Sequence, residues 1–279
     1  MSKIKKVLGV ALVLTLSLGV VACGSNTKKV DEKNIVIGVC PGPYGDMVKQ
    51  SIAPILEKKG YKVSTKEFSD YVQPNKALAN KEIDANLFQH TIYLQKFSKD
   101  NNLNLSPVIS VPTAGMGIFS NKIKSLDNLP DGAQVAIPND ASNLSRALSF
   151  LQKEGLVNIK DNIDQTKASE KDIVENKKGL KIVPIEAAQL PRSLDSVDIA
   201  VVTGNYAIAS GLDLSNALKL EKLGENYKNV VAVRTEDLDK EFAKDIKEAV
   251  ESKEFRDSIE SPKGIFKAFQ KPEWYESKK

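Results

Sequence analysis

The apolar positions of this chain fall into two regimes. From Val7 to Ala22 they form one run (VLGVALVLTLSLGVVA) broken only by small residues and hydroxyls, with Lys3, Lys5 and Lys6 ahead of it. Beyond Lys33 they come in short bursts of two periods. β-branched runs such as Asn34–Cys40 (NIVIGVC) have the pattern of buried strands. Stretches with apolar residues three and four apart have that of amphipathic helices. The pattern predicts strands over 35–40, 61–68, 83–89, 108–111, 134–138, 181–185, 198–203 and 229–234. Helices are expected from about 46 to the Lys-Lys-Gly60 stop with a kink at Pro54, and over 74–80, 91–99, 142–154, 186–195 and 206–210. A long helix over 238–252 and a helical stretch to about 269 complete the chain.

This alternation implies an α/β protein with mostly parallel sheets. The units are too many for one small sheet, and no repeated motif closes a barrel. Two lobes are expected, 34–114 with 228–279 and 118–225, joined by crossovers near 112–118 and 222–228, with a ligand between them. Segments 158–178 and 212–226 have weak periodicity and are expected to be charged surface helix or loop.

The first regime reads as an address. Sixteen residues are short for a membrane span, and charge ahead of an apolar run marks a secretory signal, 1–22. It ends Val20-Val21-Ala22-Cys23-Gly24, small residues before a cysteine, as in a bacterial lipobox. Cleavage before Cys23 and acylation of that residue would anchor the chain to a membrane. Residues 23–33 are polar and would form a flexible tether. An ordinary signal peptide cut near Ala22 and an uncleaved anchor are the alternatives.

Composition narrows the chemistry. Of 279 residues 41% are apolar and 27% charged, which supports a packed core. His90 is the single histidine, and Cys23 and Cys40 are the two cysteines, too few for a zinc site or a disulfide framework. With Cys23 acylated, Cys40 has no partner and is expected to be a buried, inert thiol. The net charge of +4 falls to +1 once Lys3, Lys5 and Lys6 leave with the leader. That balance argues against a nucleic-acid partner. No phosphate-binding Gly loop, dinucleotide fingerprint or nucleophile elbow is present, so no cofactor is called for.

Three strand ends carry candidate residues. After the strand ending at Pro138, a polar loop opens a helix that Asp140 or Ser142 can cap, with Arg146 near its first turn. Free helix N–H groups beside a guanidinium suit a carboxylate, although a solvated helix arginine is the plainer reading. A second end gathers Phe88, His90 and Tyr93, with Tyr71 after the neighbouring strand; aromatic faces and one imidazole suit an uncharged side chain. Phe88 alone reads as core. A third end places Thr203 and Asn205 where oxygen acceptors could meet an amine, or simply form a turn.

Several stretches strongly resemble the methionine-binding lipoprotein (NlpA) family of solute receptors for bacterial ABC importers. They are Pro41–Asp46 (PGPYGD), Tyr71–Ala77 (YVQPNKA), Ile83–Tyr93 (IDANLFQHTIY), Ile123–Leu129 (IKSLDNL), Val135–Leu148 (VAIPNDASNLSRAL) and Glu186–Leu194 (EAAQLPRSL). The resemblance implies a two-lobe periplasmic-binding-protein-like fold of type II, without catalysis, closing as a monomer on a free amino acid, usually L-methionine. It implies that Tyr71, Phe88, His90 and Tyr93 form the side-chain pocket, that Arg146 with Asn143 holds the carboxylate, and that a membrane permease and its ATPase receive the ligand. Ile92 stands where many relatives have proline, and Thr203 where many have asparagine. The second departure keeps a Met-containing dipeptide or another small amino acid as alternatives. A surface hydrolase using His90, and an adhesin-like lipoprotein with no small ligand, are the rival classes.

Overall fold

The computed structural model describes residues 33–164, 166–262 and 264–277. The signal peptide (1–22), Cys23 and all of the expected tether but its last residue lie outside the described residues. That last residue, Lys33, belongs instead to the first strand. In chain order the strands are β1 (Lys33–Val39), β2 (Tyr61–Glu67), β3 (Ala85–His90), β4 (Leu105–Ser110), β5 (Gly117–Phe119) and β6 (Gln134–Pro138). There follow β7 (Asn158–Ile159), β8 (Ile173–Glu175), β9 (Lys181–Ile185), β10 (Ile199–Val202), β11 (Lys219–Leu220) and β12 (Asn229–Arg234).

Two five-stranded sheets result, ordered β2-β1-β3-β12-β4 and β11-β5-β10-β6-β9. The two-sheet α/β architecture expected from the alternation is the one the chain adopts. The first sheet draws on both ends of the described chain, and the second on the middle. The chain passes between them twice, over 111–116 and 221–228. Each sheet holds one reversed strand. β12 runs antiparallel to β3 and β4, and β5 antiparallel to β10 and β11. Both reversed strands come directly after a passage between sheets, so they enter from the opposite direction to strands fed by a helix of the same lobe.

Each sheet has its own core. In the first, Ile35, Ile37 and Val231 pack with Met47, Ile52 and Leu56 of the 43–58 helix, and with Ile246 and Phe255 near the C-terminus. In the second, Val135, Ile137 and Val201 pack with Leu148 and Leu151 of helix Ala141–Lys153. A third apolar cluster joins the two, with Tyr71, Phe88 and Tyr93 from one side and Phe119, Val202 and Tyr206 from the other.

Some local expectations are corrected. The first helix begins at Pro43, whose missing N–H costs nothing in a first turn. Its Val48–Ile52 stretch widens into a π turn just before Pro54, which lacks a donor for the preceding turn. Gly117–Phe119, expected as plain crossover, is strand β5. Segment 158–178 is more than surface loop, since β7 pairs with β8 and Ile159 and Ala168 are buried in the second core. Segment 212–226 contributes β11 and the buried Glu221.

Helix Lys253–Ile259, near the C-terminus, is integral to the first core, because Phe255 has no exposed surface. Phe255→Ala is expected to lower unfolding free energy by about 3–5 kcal/mol. Denaturant unfolding checks this, and a loss under about 1 kcal/mol would contradict that packing.

Candidate functional site

Four strands end towards the gap between the sheets, and each end delivers side chains there. At the end of β3, His90 caps helix Thr91–Asp100 through Nδ1, which accepts the Tyr93 N–H at 3.1 Å. With Nδ1 an acceptor, the ring proton sits on Nε2, which donates to Asn143 Oδ1 at 3.2 Å. At the end of β6, Asp140 caps helix Ala141–Lys153 and accepts from the Asn143 N–H at 3.0 Å. One turn later the same helix carries Arg146. At the end of β10, Thr203 precedes the short helix Gly204–Ala209, which places Asn205 in its first turn. Beyond the end of β1, Gly42 takes a φ of 120°, and a Cβ there would lie 2.5 Å from the Asn205 carbonyl oxygen. A glycine at this point lets the two lobes approach to backbone contact.

Between these ends lies a small pocket. Tyr71, Phe88, His90, Tyr93, Asn143, Arg146, Thr203 and Asn205 all line it, and none is more than 7% exposed. Tyr44, Gln89, Ala114, Gly204 and Asn229 line it too, and sequence reasoning did not single them out. Asn229 opens β12 and donates to the Phe88 carbonyl at 3.0 Å, a placement set by long-range pairing that leaves no local signal.

The apolar part of the lining is an aromatic box. The Tyr71 ring lies 5.8 Å from Phe88 and from Tyr93, and 5.0 Å from Tyr206. The hydroxyls are satisfied within the protein. Tyr71 donates to Asn205 Oδ1 at 2.6 Å and so accepts from the Thr203 hydroxyl at 3.0 Å, while Tyr93 donates to the Tyr71 carbonyl at 3.0 Å. Asn205 Nδ2 reaches the Pro41 carbonyl at 3.1 Å, and the Tyr206 hydroxyl reaches that of Ser69 at 3.1 Å. Most of these bonds, with His90–Asn143, cross from one lobe to the other, so the structure is the closed form.

The charged part centres on Arg146. Its Nε and Nη2 meet the Glu221 carboxylate at 2.6–3.1 Å, and its guanidinium stands 5.0 Å over the Tyr227 ring. Burial works against the arginine's charge, and Glu221 more than offsets it, so the pKa lies above the ordinary value. Burial, helped by the Arg146 charge, pushes His90 down to about 3. The imidazole is therefore neutral. Burial also pushes the Cys40 thiol well up, in keeping with an inert cysteine. Among the described residues no acidic, histidine and cysteine cluster could hold a metal, and no helix is long and apolar enough to cross a membrane.

A family model described as NlpA lipoprotein matches residues 35–274. The chain belongs to the NlpA lipoprotein family. NlpA-type relatives include the D-methionine-binding lipoprotein MetQ of Salmonella typhi, 42% identical over 85% of this chain and 88% of the relative. The protein of the same name from Escherichia coli strain K12 is 40% identical over 85% and 88%. Among solved structures, a nutrient binding protein from Burkholderia cenocepacia bound to methionine superposes with a TM-score of 0.79. It is 39% identical, over 84% of this chain and 97% of that one.

His90 gives this NlpA-family site a pH limit. Its pKa is about 3 in the closed form against an ordinary 6.5, so a proton favours the open or unfolded chain. The stabilisation is complete above about pH 6.5 and is lost as pH falls from there towards 3. Thermal unfolding should show a loss of up to about 2–3 kcal/mol attributable to His90 between pH 6.5 and 4.5. His90→Gln should remove that part of the slope, and a parent-like pH dependence in the variant would contradict the assignment.

Proposed function

We propose that this chain is a lipid-anchored, extracytoplasmic receptor that closes on methionine and delivers it to a membrane permease and its ATPase. One observation supports this most directly. Side chains from both lobes enclose a small pocket whose one end is a buried arginine and whose other end is aromatic.

The proposed roles follow from the polar atoms. Arg146 Nη1, which has no hydrogen-bond partner among the described residues, would meet the carboxylate. The Asn143 side chain is already held between His90 and Asp140, so it would act mainly by positioning. Acceptors for the ammonium would be Thr203 Oγ1 and Asn229 Oδ1, the latter without a partner among the described residues. Tyr71, Phe88, His90 and Tyr93 would enclose the side chain. Residues 34–114 with 228–279 would form one lobe and 118–225 the other, closing about the two passages between them. The function is binding, with no chemical step. Cys23 would carry the acyl anchor and 23–32 would serve as tether.

Arg146→Ala would remove the carboxylate's partner and leave Glu221 buried without a cation. Calorimetric titration with L- and D-methionine, the second because the relatives are named for it, should show affinity for the bound enantiomer weakened a hundredfold or more, about 3–5 kcal/mol. Unchanged affinity would remove Arg146 from the site, and a parent protein that binds neither enantiomer would remove methionine as the ligand. Cys23→Ser should abolish retention in the membrane fraction while leaving titration of the released protein unaltered. Retention of the variant would contradict the anchor.

A further inference from the structure

Glu221 does not line the pocket, yet it determines how Arg146 faces it. Its carboxylate takes Arg146 Nε at 2.9 and 3.1 Å and Nη2 at 2.6 Å, one whole edge of the guanidinium. It is itself immobilised. Oε2 also accepts the Met116 N–H at 3.1 Å, the Glu221 N–H donates to the Met116 carbonyl at 2.9 Å, and Gln270 Nε2 donates to the Glu221 carbonyl at 2.7 Å. With that edge taken, the Nη1 end of the guanidinium, its two N–H groups and the second Nη2 N–H, is left for a ligand.

The charge count points the same way. Arg146 is the one formally charged residue among those lining the pocket, since His90 is neutral and no aspartate, glutamate or lysine lines it. Asp140 stands behind Asn143, and its charge is met at the helix start by the Asn143 N–H and the Ser142 hydroxyl. Around the pocket two cations, Arg146 and the buried Lys228, stand with two carboxylates, Glu221 and Asp140, and Glu221 is the one that touches the arginine and cancels its charge in place.

We infer that Glu221 is a specificity-determining residue: it points Arg146 at the ligand carboxylate through Nη1, and by cancelling its charge makes the pocket select a zwitterion over an anion of the same shape. This rests on the amino-acid reading above. An isolated buried guanidinium would favour any carboxylate and repel the ammonium that distinguishes an amino acid. A guanidinium already paired with Glu221 tolerates both ends of the zwitterion.

The test titrates the purified protein with methionine and with 4-(methylsulfanyl)butanoate, which keeps the carboxylate and thioether and lacks the amine. The parent should prefer methionine. In Glu221→Gln the preference ratio should fall at least about tenfold towards the anion. In Glu221→Asp, which keeps the charge and withdraws it, both affinities should fall while the ratio holds. A ratio in Glu221→Gln within twofold of the parent's would overturn the inference while leaving the amino-acid reading intact. A parent that binds neither compound would overturn both. Should Glu221→Gln fail to fold, the double variant Arg146→Gln/Glu221→Gln decides. Its recovery of folding identifies Glu221 as the arginine's counter-ion, and its failure reduces Glu221 to a structural residue.

Discussion

A guanidinium withdrawn from water needs an opposite charge and hydrogen-bond acceptors withdrawn with it, because desolvation otherwise exceeds any gain. That constraint organises this molecule around Arg146. The helix that carries the arginine belongs to the second lobe. Its counter-ion, Glu221, and the aromatic face of Tyr227 come from the return passage between lobes. Glu221 is pinned by Met116 from the outward passage and by Gln270 from the C-terminal segment. Gln270 also bridges Thr113 through its backbone and accepts the Leu223 N–H through its side chain. Both connections between the lobes thus run through one hydrogen-bonded knot whose charged end is the candidate site.

Closure is balanced rather than locked. Besides the apolar cluster that joins the lobes, the polar contacts across the cleft are neutral hydrogen bonds: Tyr71 with Thr203 and Asn205, His90 with Asn143, Asn205 with the Pro41 carbonyl, and Tyr206 with that of Ser69. Each replaces bonds to water and is worth about 0.5–1.5 kcal/mol net. Together they amount to a few kcal/mol, the scale on which a ligand adding its own charged and apolar contacts can shift an open–closed equilibrium. The glycine at Gly42 and the one at Gly204, where a Cβ would lie 2.6 Å from Ala114 Cβ and from the Gly115 carbonyl oxygen, allow that approach without themselves supplying attraction.

The sequence reached the parts of this site that sit beside local signals. The strand end at Pro138, the one expected at Thr203 and found one residue earlier at Val202, and the polar loop opening a helix before Arg146 could be read from periodicity and capping residues. Phe88, His90 and Tyr93 could be placed at one strand end, with Tyr71 after the neighbouring strand, from the same signals, but reading Phe88 as ligand lining needed the family resemblance, since alone it reads as core. Glu221 was out of reach. It sits among the exposed Lys219 and Lys222 and the half-buried Glu225 in a stretch without period, and nothing local separates it from them. Its burial depends on a contact with Arg146, 75 residues earlier. Asn229 and the reversed directions of β5 and β12 were hidden for the same reason, being consequences of how the chain re-enters a sheet.

The two ends of the pocket divide the work of selection. At the aromatic end the polar atoms are already engaged: the Tyr71 hydroxyl with Asn205 and Thr203, the Tyr93 hydroxyl with a backbone carbonyl, and both ring nitrogens of His90 with Tyr93 and Asn143. What faces a ligand there is ring surface, with no charge to pair a lysine or glutamate side chain, which would be desolvated at high cost. On the reading proposed above, a flexible thioether fits, since it has no hydrogen bonds to lose and each sulfur–aromatic contact adds about 0.3–1.5 kcal/mol. At the other end the charges of Arg146 and Glu221 cancel in place. A ligand with balanced charges and an uncharged side chain satisfies both ends at once, whereas a net charge at either end would face a pocket with nothing left to neutralise it.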